Sequence, residues 1–394
     1  MATHVLPEIN VRELVVRQRT KLVTMPSYDV VQPRRPTYAQ IHKQLDLNSA
    51  KELPESHAWA NLSPAPTADA SPEAESVPVI DLGGGEAKAA ELIGRACKTW
   101  GAFQVKNHGV SQDLLDRIES AGKSLFSLPL SQKLKAARSP VDGVSGYGVA
   151  RISCFFPKRM WSEGFTIVGS PLEHARLLWP QDYSFFCDIV EEYENEMKRL
   201  AGRLMKLILE SIGVSEEEVK WAVGSRGDQS KGRCSAIQLN SYPACPDPGR
   251  AMGLAEHTDS TLLTILHQNN TSGLQVFREG CGWVGVPPVP GALVVNVGDL
   301  LHILSNGVYN SVLHRAVVNR SRHRMSVAYL YGPPPAVKIS PLPKGQPPLY
   351  RDVTWSEYLG TKAKHFDKAL SSVRLCTPLN VLPDTNDHNR VQVG

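Results

Sequence analysis

The sequence predicts an α+β protein in which a mainly helical first half is followed by two β-sheets packed face to face. Three observations lead there. Between Glu86 and Ile212, apolar residues recur at helical spacing. After about Ser235 they fall into short β-rich runs divided by Gly, Pro and Asn. From Thr354 to Val373 the pattern returns to helix.

Taken in order, residues 1 to about 45 carry no core pattern, and Pro26, Pro33 and Pro36 break any long helix. Lys51 to Trp59 (KELPESHAW) is more definite, and residues 61–76 form a Pro/Ala/Ser-rich linker with little to bury. Residues 1–76 are therefore expected to be a weakly ordered extension and linker. Val77 to Asp81 reads as a short strand. Glu86 to Trp100 is a helix with Ala90, Ile93, Ala96, Cys97 and Trp100 on one face, and Gly101 to Gly109 is a strand ending in a turn. His108, at that strand end, is expected to be structural. Gln112 to Phe126 is a second amphipathic helix. Tyr183 to Ile212 gives the strongest helical signal, with a stripe from Phe186 through Tyr193 and Leu200 to Ile208 and a stop at Gly213. The runs AIQLNSY, LLTILHQ, GLQVF, GWVGV, ALVVNVGD and MSVAYLY then supply the strands. The expected division is 77–232 mainly helical, 233–335 the β-domain, and 336–394 a helix and tail.

Composition excludes several function classes. Hydrophobic residues at 42%, charged residues at 21% and a formal net charge of +4 over 394 residues describe a soluble globular chain, with no call for nucleic acid as a partner. Seven cysteines are scattered, with no C-x-x-C pair, so neither a disulfide framework nor a zinc ribbon is indicated. No apolar run approaches the roughly 20 residues of a membrane span, and charges from Arg12 to Lys21 interrupt any secretory segment. The expected location is cytoplasmic, with the nucleus and a plastid address left open. Scarce serine and the presence of Glu8 and Glu13 weigh against the plastid. The sequence leaves the oligomeric state undetermined.

The chemistry concentrates between Asn240 and Ser326. His257 and Asp259 alternate along an extended segment and so share a face, and His314 follows 55 positions after Asp259. Two imidazoles and one carboxylate on one side of a metal leave positions open, the arrangement of non-haem Fe(II) oxygenases. Ten residues after His314, Arg324 and Ser326 form another i, i+2 pair. A guanidinium fork beside a hydroxyl suits an anionic carboxylate.

In the order and spacing of His257, Asp259, His314, Arg324 and Ser326, the sequence resembles the plant soluble 2-oxoglutarate-dependent dioxygenases. The resemblance implies a double-stranded β-helix (jelly-roll) core, Fe(II) held by His257, Asp259 and His314, and 2-oxoglutarate and O2 as cosubstrates with ascorbate as reductant. It also implies that Tyr242, in Asn240-Ser-Tyr-Pro243, joins Arg324 and Ser326 around the distal carboxylate of 2-oxoglutarate; the alternative is a tyrosine packed before a turn proline. The segments KELPESHAW, Ser145 to Ile167, LNSYPACPDP and VTWSEYLGTKAKHF resemble, more narrowly, gibberellin 3-oxidases. That implies hydroxylation of a small diterpenoid at C3, with succinate and CO2 released. The extension before Leu45 is longer than this resemblance implies. Gibberellin 20- or 2-oxidases and flavonoid-oxidising relatives stay open, as does a non-catalytic ligand-binding protein. For a rigid substrate bearing a carboxylate, Phe155, Phe156 and Trp161 offer apolar walls and Arg151 a cation. The same segment reads equally as interdomain packing with its charges in water.

Overall fold

A computed structural model of the chain describes residues 45–60, 62, 76–139, 143–223, 235–342 and 346–375. The extension before Leu45, nearly all of the linker and the tail after Leu375 lie outside the described residues. Residues 45–60 depart from the weakly ordered stretch expected over 1–76. Leu47 is buried against Trp161 and Tyr242, and Trp59 against Met160 and Met252. Too few apolar residues stand there to give a period, yet Leu45, Leu47, Ala50, Leu53 and Trp59 all pack against the fold.

The helices follow the expected stripes. In α1 (Glu86–Thr99), Ala90, Ile93, Ala96 and Cys97 are buried. Ser111 caps α2 (Gln112–Ser127), its hydroxyl accepting from the Leu114 amide. A short α3 (Leu172–Leu178) leads into α4 (Tyr183–Ser211), whose whole predicted stripe is buried. Gly213 ends it at a φ of 66°, a left-handed conformation that costs glycine nothing. His108 is buried, bonded through Nε2 to the Gly291 carbonyl and through Nδ1 to the Val110 amide, as a structural histidine would be.

The helical half also contributes four strands: β1 (Val79–Asp81), β2 (Ala102–Lys106), β3 (Gly146–Gly148) and β4 (Glu163–Ile167). They join β5 (Ser235–Tyr242), β7 (Leu263–Gln268), β10 (Leu293–Val297) and β12 (Arg324–Tyr331) in one sheet of order β1-β2-β10-β7-β12-β5-β4-β3. A second sheet, of order β6-β11-β8-β9, contains β6 (Met252–His257), β8 (Leu274–Arg278), β9 (Gly282–Gly285) and β11 (His314–Val317). The pairings within the second sheet are antiparallel, and the two sheets make the jelly roll.

Alternation along β12 separates the two faces of the large sheet. Met325, Val327 and Tyr329 join the core beneath α2 and α4. Ala328 instead packs with Leu266 and Val294 against Leu274 and Val276 of the small sheet. Arg324 and Ser326 have the same parity as Ala328, so they face the jelly-roll interior. α5 (Asp299–Leu304) lies between β10 and β11, and α6 (Trp355–His365), which follows β12, is tied to α5 by Tyr358 and Lys362 on Asp299. Thr354 and Glu357 form a capping box at the start of α6, and Phe366 ends it at a φ of 44°.

Candidate metal and cosubstrate site

Both histidines come from the small sheet, where His314 in β11 lies directly opposite His257 in β6. Their rings stand 4.3 Å apart between centroids. Asp259 completes the group: Oδ1 is 3.6 Å from His257 Nε2 and Oδ2 is 3.8 Å from His314 Nε2. One ligand atom from each of the three lies within 4.8 Å of the others. The strand ends at His257, so Asp259 is not aimed by strand alternation. Its turn is tied down by the Asp299 amide, which donates to the Asp259 carbonyl at 2.8 Å.

Each imidazole is oriented in the same way. Nδ1 of His257 lies 2.9 Å from the Ala255 carbonyl, and Nδ1 of His314 lies 3.1 Å from that of Val312. A carbonyl can only accept, so Nδ1 carries the proton in both rings and the Nε2 lone pairs face Asp259. Burial, then the neighbouring His314, holds the His257 pKa down to about 4, which keeps the ring neutral. Burial raises the Asp259 carboxyl, but the two imidazoles, Thr264 and Lys362 outweigh it and leave the pKa below the usual range. Deprotonated ligands are what a metal needs. Asp259 Oδ2 is buried with no hydrogen-bond partner, so these residues fit a cation bound between them.

The opposite wall carries the anion site. Arg324 and Ser326 on β12 stand across from Tyr242 and Asn240 on β5. Arg324 is 2% exposed; Nη2 donates to Gln268 Oε1 at 3.1 Å, while Nε and Nη1 have no partner. Among the described residues no carboxylate pairs with it. The Tyr242 ring lies 5.0 Å from the guanidinium carbon, and burial raises the tyrosine hydroxyl against the pull of Arg324 and Ser326. A buried cation with free N–H groups calls for an anion. Gly273 leaves room for the arginine itself: a Cβ there would come within 2.6 Å of Arg324 Cδ.

Asp299 is a site residue that the sequence reading missed. Its side chain has no exposure, and its oxygens accept from Ser311 (2.6 Å), Thr258 (3.1 Å), Tyr358 (2.8 Å) and Lys362 (2.7 Å). It thereby binds together the turn between His257 and Asp259, the approach to His314, and α6. Replacing Asp299 with Ala leaves the Lys362 charge without its partner. It is expected to cost about 3 kcal/mol or more in chemical denaturation, and to weaken metal binding as well.

The segment proposed for substrate is spread out. Phe155 stacks on Phe366 at 4.5 Å, and Phe156 meets Phe366 and Trp59, each at 5.5 Å. Trp161 is fully buried behind Tyr242, its indole N–H donating to the Pro243 carbonyl at 3.2 Å. Arg151 is exposed, in a short 3-10 helix (Arg151–Phe155) packed on β6. Phe155 and Phe156 thus join the N-terminal segment to the C-terminal end, Trp161 supports Tyr242 from behind, and Arg151 faces solvent.

A jelly roll that presents two histidines and a carboxylate on one wall and an unpaired buried guanidinium on the other defines the Fe(II)- and 2-oxoglutarate-dependent oxygenases. The family model of the 2OG-Fe(II) oxygenase superfamily matches residues 233–333, and that of the non-haem dioxygenase in morphine synthesis N-terminal region matches residues 77–183. Gibberellin 3-beta-dioxygenase 1 of Pisum sativum is 61% identical over 380 residues, covering 94% of this chain and 100% of its own. Gibberellin 3-beta-dioxygenase 1 of Arabidopsis thaliana is 59% identical over 338 residues, covering 84% of this chain and 92% of its own. Among solved structures, JOX2 in complex with 2OG, Fe and JA matches with a TM-score of 0.71 at 30% identity, covering 83% of this chain and 95% of its own. The chain belongs to the gibberellin 3-beta-dioxygenase family. Coverage of 94% of the 394 residues leaves about 24 unaligned, so the pea alignment reaches into the stretch before Leu45.

Proposed function

We propose that this chain hydroxylates a gibberellin precursor at C3, in the 3β position, coupling that step to conversion of 2-oxoglutarate and O2 into succinate and CO2. The observation that carries this reading is 61% identity across the whole length of the pea gibberellin 3-beta-dioxygenase, with every member of the metal and anion sites in place. One oxygen atom of O2 enters the new hydroxyl and the other enters succinate. His257, Asp259 and His314 hold Fe(II). Arg324, Ser326 and Tyr242 hold the distal carboxylate of 2-oxoglutarate, with Gln268 fixing the fork. Bound Fe(II) supplies O2 activation, with 2-oxoglutarate as the electron source and ascorbate keeping the metal reduced.

The protein's own part is orientation and exclusion of water. The two Nδ1–carbonyl bonds fix the imidazoles before metal arrives, and Asp299 fixes the turn that carries Asp259. A buried arginine places 2-oxoglutarate in one pose, because its planar fork accepts a carboxylate in few orientations. A non-catalytic binding protein has no need of this complete set. The unpaired cysteines Cys97, Cys154, Cys187, Cys245 and Cys281 support a reducing, cytoplasmic location as part of the same proposal.

The test is anaerobically purified protein supplied with Fe(II), ascorbate, 2-oxoglutarate and a panel of gibberellin precursors, read by mass spectrometry. One added oxygen at C3 and equimolar succinate are expected. Oxidation at C2 or loss of C20 would transfer the assignment to a gibberellin 2- or 20-oxidase, and no product from any precursor would remove the substrate.

A further inference from the structure

Arg138 is a second guanidinium with a buried, unpartnered nitrogen, in a residue that is half-buried where Arg324 is buried throughout. Nη1 donates to the Val149 carbonyl at 3.2 Å and Nη2 to Thr166 Oγ1 at 2.8 Å, while Nε is buried with no partner. Among the described residues no carboxylate pairs with Arg138. Burial, then the nearby charge of Arg151, brings its pKa down to about 10, so it stays protonated at neutral pH. A guanidinium with a buried, unpartnered nitrogen and no counter-charge among the described residues is costly unless a ligand brings the negative charge.

Strand register locates this group relative to the chemistry. Thr166 of β4 lies opposite Gln238 of β5, and Gln238 lies opposite Ala328 of β12. All three therefore share the interior face with Asn240, Tyr242, Arg324 and Ser326. A directed line of hydrogen bonds joins them. Arg138 donates to Thr166, the Thr166 hydroxyl donates to Gln238 Oε1 at 2.5 Å, and Gln238 Nε2 donates to Asn240 Oδ1 at 3.1 Å. From Gln238 to Tyr242 is four residues of strand, about 13 Å. Over that distance the wall beside Asn240 is bare: Gly164 pairs with Asn240 and with Gly148. A Cβ at Gly164 would come within 2.9 Å of Gln238 Nε2. The interior face thus has a guanidinium near each end of a stretch that Gly164 leaves bare beside Asn240, one for 2-oxoglutarate and one with no assigned ligand.

We infer that Arg138 binds the carboxylate of the diterpenoid substrate, with Thr166 and Gln238 fixing its fork and the exposed Arg151 adding nearby positive charge. This rests on the gibberellin reading, which supplies a rigid, carboxylated substrate. Carboxylate capture at Arg138 holds the far end of that substrate and leaves the other end toward His257, Asp259 and His314. The role proposed for Arg151 from the sequence passes to a residue that is less exposed and better held.

The experiment is calorimetric titration of full-length protein loaded with Mn(II) and N-oxalylglycine, which cannot turn over, using a gibberellin precursor as free acid and as methyl ester. Wild type is expected to bind the acid at least 30-fold more tightly. Arg138→Gln is expected to bind acid and ester within three-fold of each other, with N-oxalylglycine affinity changed less than two-fold. Arg138→Lys keeps the charge without the fork and is expected to retain an intermediate preference. It also decides the matter if the glutamine variant does not fold. An undiminished acid preference in either variant, or an equal loss for acid and ester, overturns the inference and leaves the function standing. Binding of neither form to wild type overturns the gibberellin reading and this inference with it.

Discussion

Replacing Asp259 with Ala will lower hydroxylation and succinate release by more than about 100-fold, since even partners one step removed from a metal cost 10- to 100-fold. The reason is local. Two neutral imidazoles hold a divalent cation weakly, and Asp259 supplies the only negative charge within 4.8 Å among the described residues of the cluster. The substitution should not unfold the protein. Asp259 Oδ2 is buried without a partner, so its removal relieves an unsatisfied group and leaves both Nδ1–carbonyl bonds in place. The expected pair of results is a metal-binding isotherm shifted by at least two decades, beside a denaturation midpoint near that of wild type. Turnover within ten-fold of wild type would show that the carboxylate is not a ligand.

Much of this architecture is legible in the sequence, and the illegible parts have physical causes. The stripe of α4 is readable because one face of a long helix packs on a sheet while the other meets water. β4 is not readable, because all five of its residues are buried, including Glu163, which pairs with Lys133 at 2.7 Å. Burial on both faces erases alternation. Of the strands that carry the histidines, β6 is expected only as an extended segment through His257 to Asp259, whereas it runs from Met252, past Gly253 and Glu256, and stops at His257, and β11, four residues long, is not among the expected runs. The five-residue motif survived that failure because residue type and order, not secondary structure, make it specific. Asp299 and Arg138 lie outside the motif. An aspartate opening a helix reads as a favourable exposed N-terminal charge, and only the fold reveals four donors around it. Arg138 lies in a stretch without periodicity, and its value comes from Thr166 on a strand 28 residues later.

Replacing Arg324 with Met separates the cosubstrate from the metal. The fork of Arg324 is the charge that a distal carboxylate would meet, and its Nε and Nη1 are held free for that purpose. Losing one partner of a buried, hydrogen-bonded charge pair costs about 3 kcal/mol, or roughly 100-fold in affinity. The KM for 2-oxoglutarate is therefore expected to rise by about two decades, while the metal isotherm, set on the opposite wall, moves little. Stability of the ligand-free protein should hold or rise, because an uncompensated cation leaves the interior and an apolar chain of similar length fills its place. Lysine at 324 should recover only part of the loss, since a point charge cannot reproduce two parallel hydrogen bonds. The hydroxyls contribute less: Tyr242→Phe and Ser326→Ala are each expected to raise the same KM by about five-fold, near 1 kcal/mol for one hydrogen bond. A 2-oxoglutarate KM unchanged in the methionine variant would move the carboxylate to another cation. Arg138, which donates to Thr166 on the same face of the sheet, would then be the first to examine, and the acid preference measured there would vanish together with 2-oxoglutarate binding rather than independently of it.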